Sequence, residues 1–160
     1  FLSLMTAIND MAETYQMPVI YSTHPRSKKF IEQRNFQFHP LVQSLKPFGF
    51  LDYNKLQMNA YCVLSDSGTL SEESAMLGFA GVLIRTSTER PEVLDKGTVV
   101  VGGITTKDIS QALGMAVSMR DNQEKTEMPD DYHDTNVSVK VVKLIQSYAK
   151  IVNETVWGKD

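Results

Sequence analysis

Between Ser65 and Ser74 the chain reads SDSGTLSEES, a run of hydroxyls, one glycine and two adjacent carboxylates. The apolar run Tyr61–Leu64 precedes it and an amphipathic run, Leu70 to Leu77, follows, so the order is strand, tight polar turn, helix. Gly68 has no Cβ and lets the backbone come close to a ligand. The free amides of the helix's first turn and the helix dipole favour an anion there, such as a phosphate. Ser67 and Thr69 add hydroxyls beside those amides. Glu72 and Glu73 do not suit a simple phosphate cradle. A carboxylate one turn into the helix can instead accept hydrogen bonds from sugar hydroxyls, as acidic residues do for ribose. Phosphate and polyol character together describe a nucleotide sugar. The same residues also fit a capping box, with Ser or Thr as N-cap and Glu three residues later, and spacing alone leaves both options open.

Two further groups have the chemistry to join this turn. His24 follows an apolar, β-rich run, Pro18 to Thr23, and so stands at the carboxyl end of a strand, where it either meets a ligand or caps the next helix. Arg90 lies in the polar stretch TSTERPE, residues 86 to 92, after the apolar run Val82 to Arg85. Its guanidinium is suited to a bidentate grip on phosphate, or to an ion pair with Glu89 or Glu92 that only shapes the loop. Pro91 restrains Arg90 to extended geometry. The three histidines, His24, His39 and His133, are far apart and lack ligand-spaced partners, so no metal site is expected. No Walker lysine follows a glycine-rich loop and Ser67 is not in a G-x-S-x-G elbow, so neither a P-loop nor a serine nucleophile is expected. No cofactor is called for.

A parallel sheet would bring these loops to one edge. The elements needed for it follow in order. Phe1, Leu4, Met5, Ile8, Met11, Ala12 and Tyr15 recur at helical spacing. Pro18 to Thr23 reads as a buried strand, and Pro25 opens a helix that ends near Asn35. Phe36–His39 and Val42–Leu45 are short extended pieces, one of them an edge strand. Asp52 is expected to cap a short helix ending near Ala60, after a loop over Pro47–Leu51. Tyr61–Asp66, Val82–Arg85 and Thr98–Val101 are further strands, and Thr105 or Thr106 caps a helix to about Arg120. Residues 121 to 134 read as an exposed loop, and Val137 to Val156 as a long terminal helix with Trp157 at its end. Strands alternating with helices imply one α/β domain, a doubly wound parallel sheet of about five strands covered on both faces.

The 160 residues suffice for one domain with a real core, and 42% apolar with 22% charged residues is ordinary for a globular chain. A net charge of −3 gives no electrostatic reason to expect nucleic acid or an anionic membrane. No apolar run approaches the ~20 residues that span a bilayer. The single cysteine, Cys62, sits in an apolar strand as an inert thiol, and a reducing, cytoplasmic setting is the default. The chain opens on Phe1 inside a helical pattern, which is what a fragment of a longer protein would show.

SDSGTLSEES at 65–74 and RTSTERPE at 85–92, with Glu73 and Arg90 seventeen residues apart, resemble the non-hydrolysing UDP-N-acetylglucosamine 2-epimerases. Weaker similarity runs the length of the chain. The resemblance implies two Rossmann-like domains in a glycosyltransferase-B-like arrangement, of which residues 1–160 would be the second, UDP-binding one. It implies that Ser67 and the amides of Gly68 and Thr69 hold the diphosphate, that Glu73 binds the ribose hydroxyls, and that Arg90 reaches the phosphate or sugar. The loop at Phe50 and Leu51 would face uracil, and His24 matches a ligand-facing histidine. The family removes the C2 proton, expels UDP by anti elimination to a 2-acetamidoglucal, and re-adds UDP with a proton returned to C2 on the other face. Its proton-transfer residues would lie in the first domain, upstream, so no catalytic residue is expected within this chain. The domain's first strand, with its HRRE-like motif, would lie upstream too, which predicts an apolar gap in the sheet. TLSEES, in place of the usual glycine-glycine form, suggests the branch serving capsule or O-antigen sugars, with a UDP-2-acetamido-6-deoxyhexose as one substrate. The partners implied are a UDP-sugar and the missing N-terminal domain, with a homodimer through the terminal helix as an option. The rival functions are the donor-binding domain of a glycosyltransferase and a regulatory nucleotide-sugar-binding module. The ERPE loop belongs to the epimerase pattern.

Overall fold

Helical spacing of Met5, Ile8, Met11 and Ala12 buries one side of α1 (Leu2–Tyr15), and the chain leaves it through Gln16 in the left-handed conformation. The computed structural model describes residues 1–159. After α1 come β1 (Val19–Ser22), α2 (Pro25–Gln33), β2 (Val42–Leu45), α3 (Phe50–Asn59), β3 (Val63–Ser65) and α4 (Leu70–Leu77). Then follow β4 (Gly81–Leu83), α5 (Pro91–Asp95), β5 (Val99–Val101), α6 (Thr106–Asp121), a 3₁₀ turn (Asp130–Tyr132) and α7 (Val137–Thr155). All strand pairs are parallel, so the alternating order produces the α/β architecture expected. Residues 1–129 form one compact unit and residues 130–160 a second.

The strands do not make one sheet. β1 pairs only with β2, while β3, β4 and β5 form a separate sheet in that order. Both sheets nonetheless share a core. Met5, Ile8 and Met11 of α1 meet Leu113 and Val117 of α6, and Val19, Tyr21, Val42, Cys62 and Leu64 pack against that cluster. β1 and β3 therefore lie over the same helices, each with one edge unpaired. The break between the two sheets falls between these two open edges. The buried strand expected at Pro18–Thr23 is corrected: Val19 and Tyr21 pack on the α1–α6 cluster, while Ile20, on the opposite face of β1, is 46% exposed.

β4 is buried along its whole length, with Val82 against Ala112 and Ala116 of α6. Ser74 of α4 donates to the carbonyls of Phe79 at 2.6 Å and Thr98 at 2.9 Å, fastening α4 beside the starts of β4 and β5. Thr105, of the two threonines considered, caps α6 by accepting from the Asp108 amide at 3.2 Å. Of the two short extended pieces, Val42–Leu45 is the edge strand expected and 36–39 is not a strand. Two local expectations are corrected. α3 starts at Phe50 with Gly49 as N-cap, so Asp52 sits inside its first turn, where a carboxylate favours the helix dipole, rather than at the cap. The polar loop expected after β4 contains α5, which Pro91 opens.

Cys62 shows what burial does to a lone thiol. Desolvation pushes its pKa up to about 12, against about 8.5 for a free cysteine. The thiolate, not the thiol, reacts. Alkylation of the folded protein at pH 8 is therefore expected to run about a thousandfold slower than in denaturant, measured by mass spectrometry of iodoacetamide adducts. The raised value means stability from this group is complete below about pH 8.5 and is lost as pH climbs towards 12.

In the second unit, α7 carries Val141, Leu144, Ile145, Tyr148 and Ile151 as exposed apolar side chains, and Lys140 pairs with Asp134. No helix among the described residues is long and apolar enough to cross a membrane.

Candidate functional site

The sheet β3–β4–β5 presents the polar turn at the carboxyl end of β3. Ser65 Oγ accepts from the Ser67 amide at 3.0 Å and tightens the turn. The Ser67 and Thr69 hydroxyls bond each other at 2.9 Å. The Ser67 and Gly68 carbonyls accept from the Leu70 and Ser71 amides at 3.2 Å, starting α4. The amides of Gly68 and Thr69 meet no acceptor among the described residues. Thr69 is the N-cap of α4 and makes no side-chain capping bond. The capping-box alternative is thereby removed: Glu72, the residue that would close it, is engaged elsewhere.

Glu72 accepts from Arg90 Nε at 2.5 Å, and Arg90 Nη1 lies 3.7 Å from Glu89. The ion pair with Glu89 is one of the two loop-shaping pairs considered from sequence; the pair with Glu72 was not. Its consequence is positional. With Nε held by Glu72, the guanidinium lies over the turn, so close that a Cβ on Gly68 would stand 2.8 Å from Nη1. A side chain at Gly68 would therefore require the arginine tip to move. Arg85, at the end of β4, donates to the Asp66 carbonyl at 2.7 Å and joins this loop to the turn.

Glu73, one residue along α4, points about 100° away from Glu72 around the helix. Its Oε2 accepts from Gln57 Nε2 of α3 at 2.6 Å. Tyr53, one turn earlier on α3, has its hydroxyl pKa raised, first by burial and then by the charge of Glu73. The turn is therefore flanked by Arg90 on the Glu72 side and by Glu73 with α3 on the other. An anion at the free amides and a polyol at the carboxylate would lie side by side.

Ser67, Gly68, Thr69, Glu73 and Arg90 are brought together. Phe50 and Leu51 are not part of a loop; they open α3 and are 78% and 79% exposed, one turn from Tyr53. His24 is the N-cap of α2, with Nδ1 accepting from the Arg26 amide at 3.2 Å, which is the capping option. It belongs to the separate β1–β2 half, and no hydrogen bond or ion pair joins it to the Ser67 turn among the described residues. Sequence reasoning missed Tyr53 and Gln57. The available signal was a glutamine on the inward stripe of α3, four residues after Tyr53, where an apolar residue fits the pattern. A cavity of about 200 Å³ opens at the starts of β4 and β5, lined by Phe79, Thr98, Met119 and Arg120 among others, and includes none of these site residues.

Residues 1–146 match the family model described as UDP-N-acetylglucosamine 2-epimerase. A UDP-N-acetylglucosamine 2-epimerase of Methanococcus maripaludis is 32% identical over 110 residues, covering 66% of this chain and 30% of that protein. The structure of a UDP-N-acetylglucosamine 2-epimerase from Rickettsia bellii superposes with a TM-score of 0.83 at 34% identity, covering 99% of this chain and 44% of that one. The Neisseria meningitidis enzyme bound to UDP-GlcNAc superposes with a TM-score of 0.71 at 26% identity, over 92% of this chain and 41% of that one. The chain thus spans less than half the length of these relatives.

Proposed function

Because this chain belongs to the UDP-N-acetylglucosamine 2-epimerase family, we propose that it is the UDP-binding half of a nucleotide-sugar 2-epimerase. The observation that carries the proposal is the arrangement around the turn. The amides of Gly68 and Thr69 are free among the described residues, the Arg90 guanidinium lies over Gly68, and Glu73 follows one turn into α4. The amides and Arg90 suit a diphosphate, and Glu73 suits the ribose hydroxyls. Ser67 and Thr69 add hydroxyl donors. In this role the chain binds and orients UDP as leaving group. Stabilising negative charge on departing UDP lowers the barrier to elimination across C1 and C2 of the sugar. The acid and base that move the C2 proton belong to the N-terminal domain of the parent protein.

The exposed side of α7 suits contact with that domain, and sedimentation of the intact protein separates this arrangement from a homodimer. The sugar is a UDP-2-acetamidohexose, and the TLSEES variant favours a 6-deoxy member used in capsule or O-antigen synthesis. A single free cysteine, the half-buried Cys62, agrees with a cytoplasmic setting.

Calorimetric titration of the intact protein with UDP tests the site. Ser67→Ala and Glu73→Ala are each expected to weaken UDP about tenfold, the scale of one hydrogen bond to a charged group. Unchanged affinity in both would misplace the site. Turnover of UDP-N-acetylglucosamine in deuterated water tests the chemistry. An epimerase of this kind puts deuterium at C2; a glycosyltransferase leaves that hydrogen in place.

A further inference from the structure

Gln57 is 2% exposed, and its Oε1 has no hydrogen-bond partner among the described residues. Burying an amide with its oxygen unpaired costs about 1–3 kcal/mol. Packing does not call for it: Gln57 lies on the inward side of α3, where methionine or leucine has the same size and no polar atom to satisfy. The amide's one bond is from Nε2 to Glu73 Oε2 at 2.6 Å. A charge-assisted bond of that length fixes a carboxylate that would otherwise rotate freely at its terminal torsion. With Oε2 held, Oε1 is left to meet a ligand in one direction.

We propose that Gln57 is a positioning residue that locks the Glu73 carboxylate in the orientation that reads the 2′-hydroxyl of the nucleotide's ribose. The inference rests on the assignment of Glu73 to ribose and deepens it: the pair makes the site select ribonucleotides over 2′-deoxyribonucleotides. Tyr53, one turn before Gln57 on α3, has its hydroxyl pKa raised by burial and by the negative charge of Glu73, so it stays protonated and adds no competing charge.

The test compares UDP with 2′-deoxy-UDP by calorimetry on the intact protein. Native protein is expected to prefer UDP about tenfold, the value of one hydrogen bond to a carboxylate. Gln57→Met keeps volume and removes the amide. It is expected to lower UDP affinity several-fold while leaving 2′-deoxy-UDP almost unchanged, so the preference collapses. Glu73→Ala should erase the preference as well. If Gln57→Met keeps the full preference, or loses both nucleotides in parallel, Gln57 serves the fold alone and the inference is overturned. If Glu73→Ala binds UDP like the native protein, the assignment of Glu73 to ribose has failed, and the inference with it.

Discussion

Arg90→Lys is expected to lose between one and two orders of magnitude in UDP affinity while the protein melts within a few degrees of the native form. The conservative variant is the informative one. The arginine does two things with one planar group: Nε meets Glu72 at 2.5 Å, and Nη1 stands over Gly68. A lysine ammonium is a single point and can satisfy the carboxylate or face the turn, not both. Glu72, adjacent and negative, wins that competition in the free protein. Loss of a charge-assisted contact to phosphate is worth about 1.5–3 kcal/mol, which gives the range stated. Stability should hardly respond, because both side chains are about 30% exposed and solvent screens such pairs to about 1 kcal/mol or less. Gly68→Ala provides an independent check. Its Cβ would displace the guanidinium tip, so binding should fall without any change of charge. Calorimetry with UDP and thermal melting on both variants decide the matter. Native-like affinity in Arg90→Lys would reduce Arg90 to the loop-shaping role that its pair with Glu89 also allows.

How far the sequence reached depends on the range of the interactions concerned. The strand–turn–helix at Val63–Leu77 is local: apolar run, glycine, hydroxyls and periodic apolar residues are contiguous, and all of it was legible. Thr105 as a cap was legible for the same reason. The pair of Arg90 with Glu89 was legible as well, but its pair with Glu72 was not. Glu89 and Glu92 are its neighbours in sequence, but Glu72 becomes a neighbour only when β3 and β4 pair in parallel and place their following loops side by side. Gln57 and Glu73, sixteen residues apart on the helices either side of β3, meet only through tertiary packing. His24 was legible as a helix-capping candidate and in register with a strand end. Its separation from the Ser67 turn follows from sheet pairing, which no window of sequence reports. Asp52 shows a finer limit: a carboxylate two residues inside a helix start and one at the N-cap give almost the same pattern.

The split between the sheets leads to the second large effect: in a longer polypeptide that includes the N-terminal part of the parent protein, the amides of Ile20, Ser22 and Leu64 are expected to become strongly protected from hydrogen exchange. The choice of amides follows from strand geometry. In β1 the Val19 amide donates to Leu41, and the Thr23 amide just past the strand donates to Leu45, so the odd-numbered residues face β2. Successive backbone groups alternate sides, and the Ile20 and Ser22 amides therefore face the open edge. In β3 the Val63 amide donates to Ala80, which turns the Leu64 amide to the edge away from β4. Both open edges lie over α1 and α6, which already pack against Val19, Tyr21, Cys62 and Leu64 on either side of the break. A parallel strand feeding α1 would satisfy both edges at once and, by the right-handed crossover to β1, would lie beside it. Residues in a central strand exchange only through large-scale opening, so protection should rise about a hundredfold or more over the same amides in residues 1–160. Amides already paired across β4, such as Val82, should change much less and serve as the internal reference. Equal exchange at Ile20 and Leu64 in the two polypeptides would mean that the edges stay open, and that the two sheets are complete as they stand.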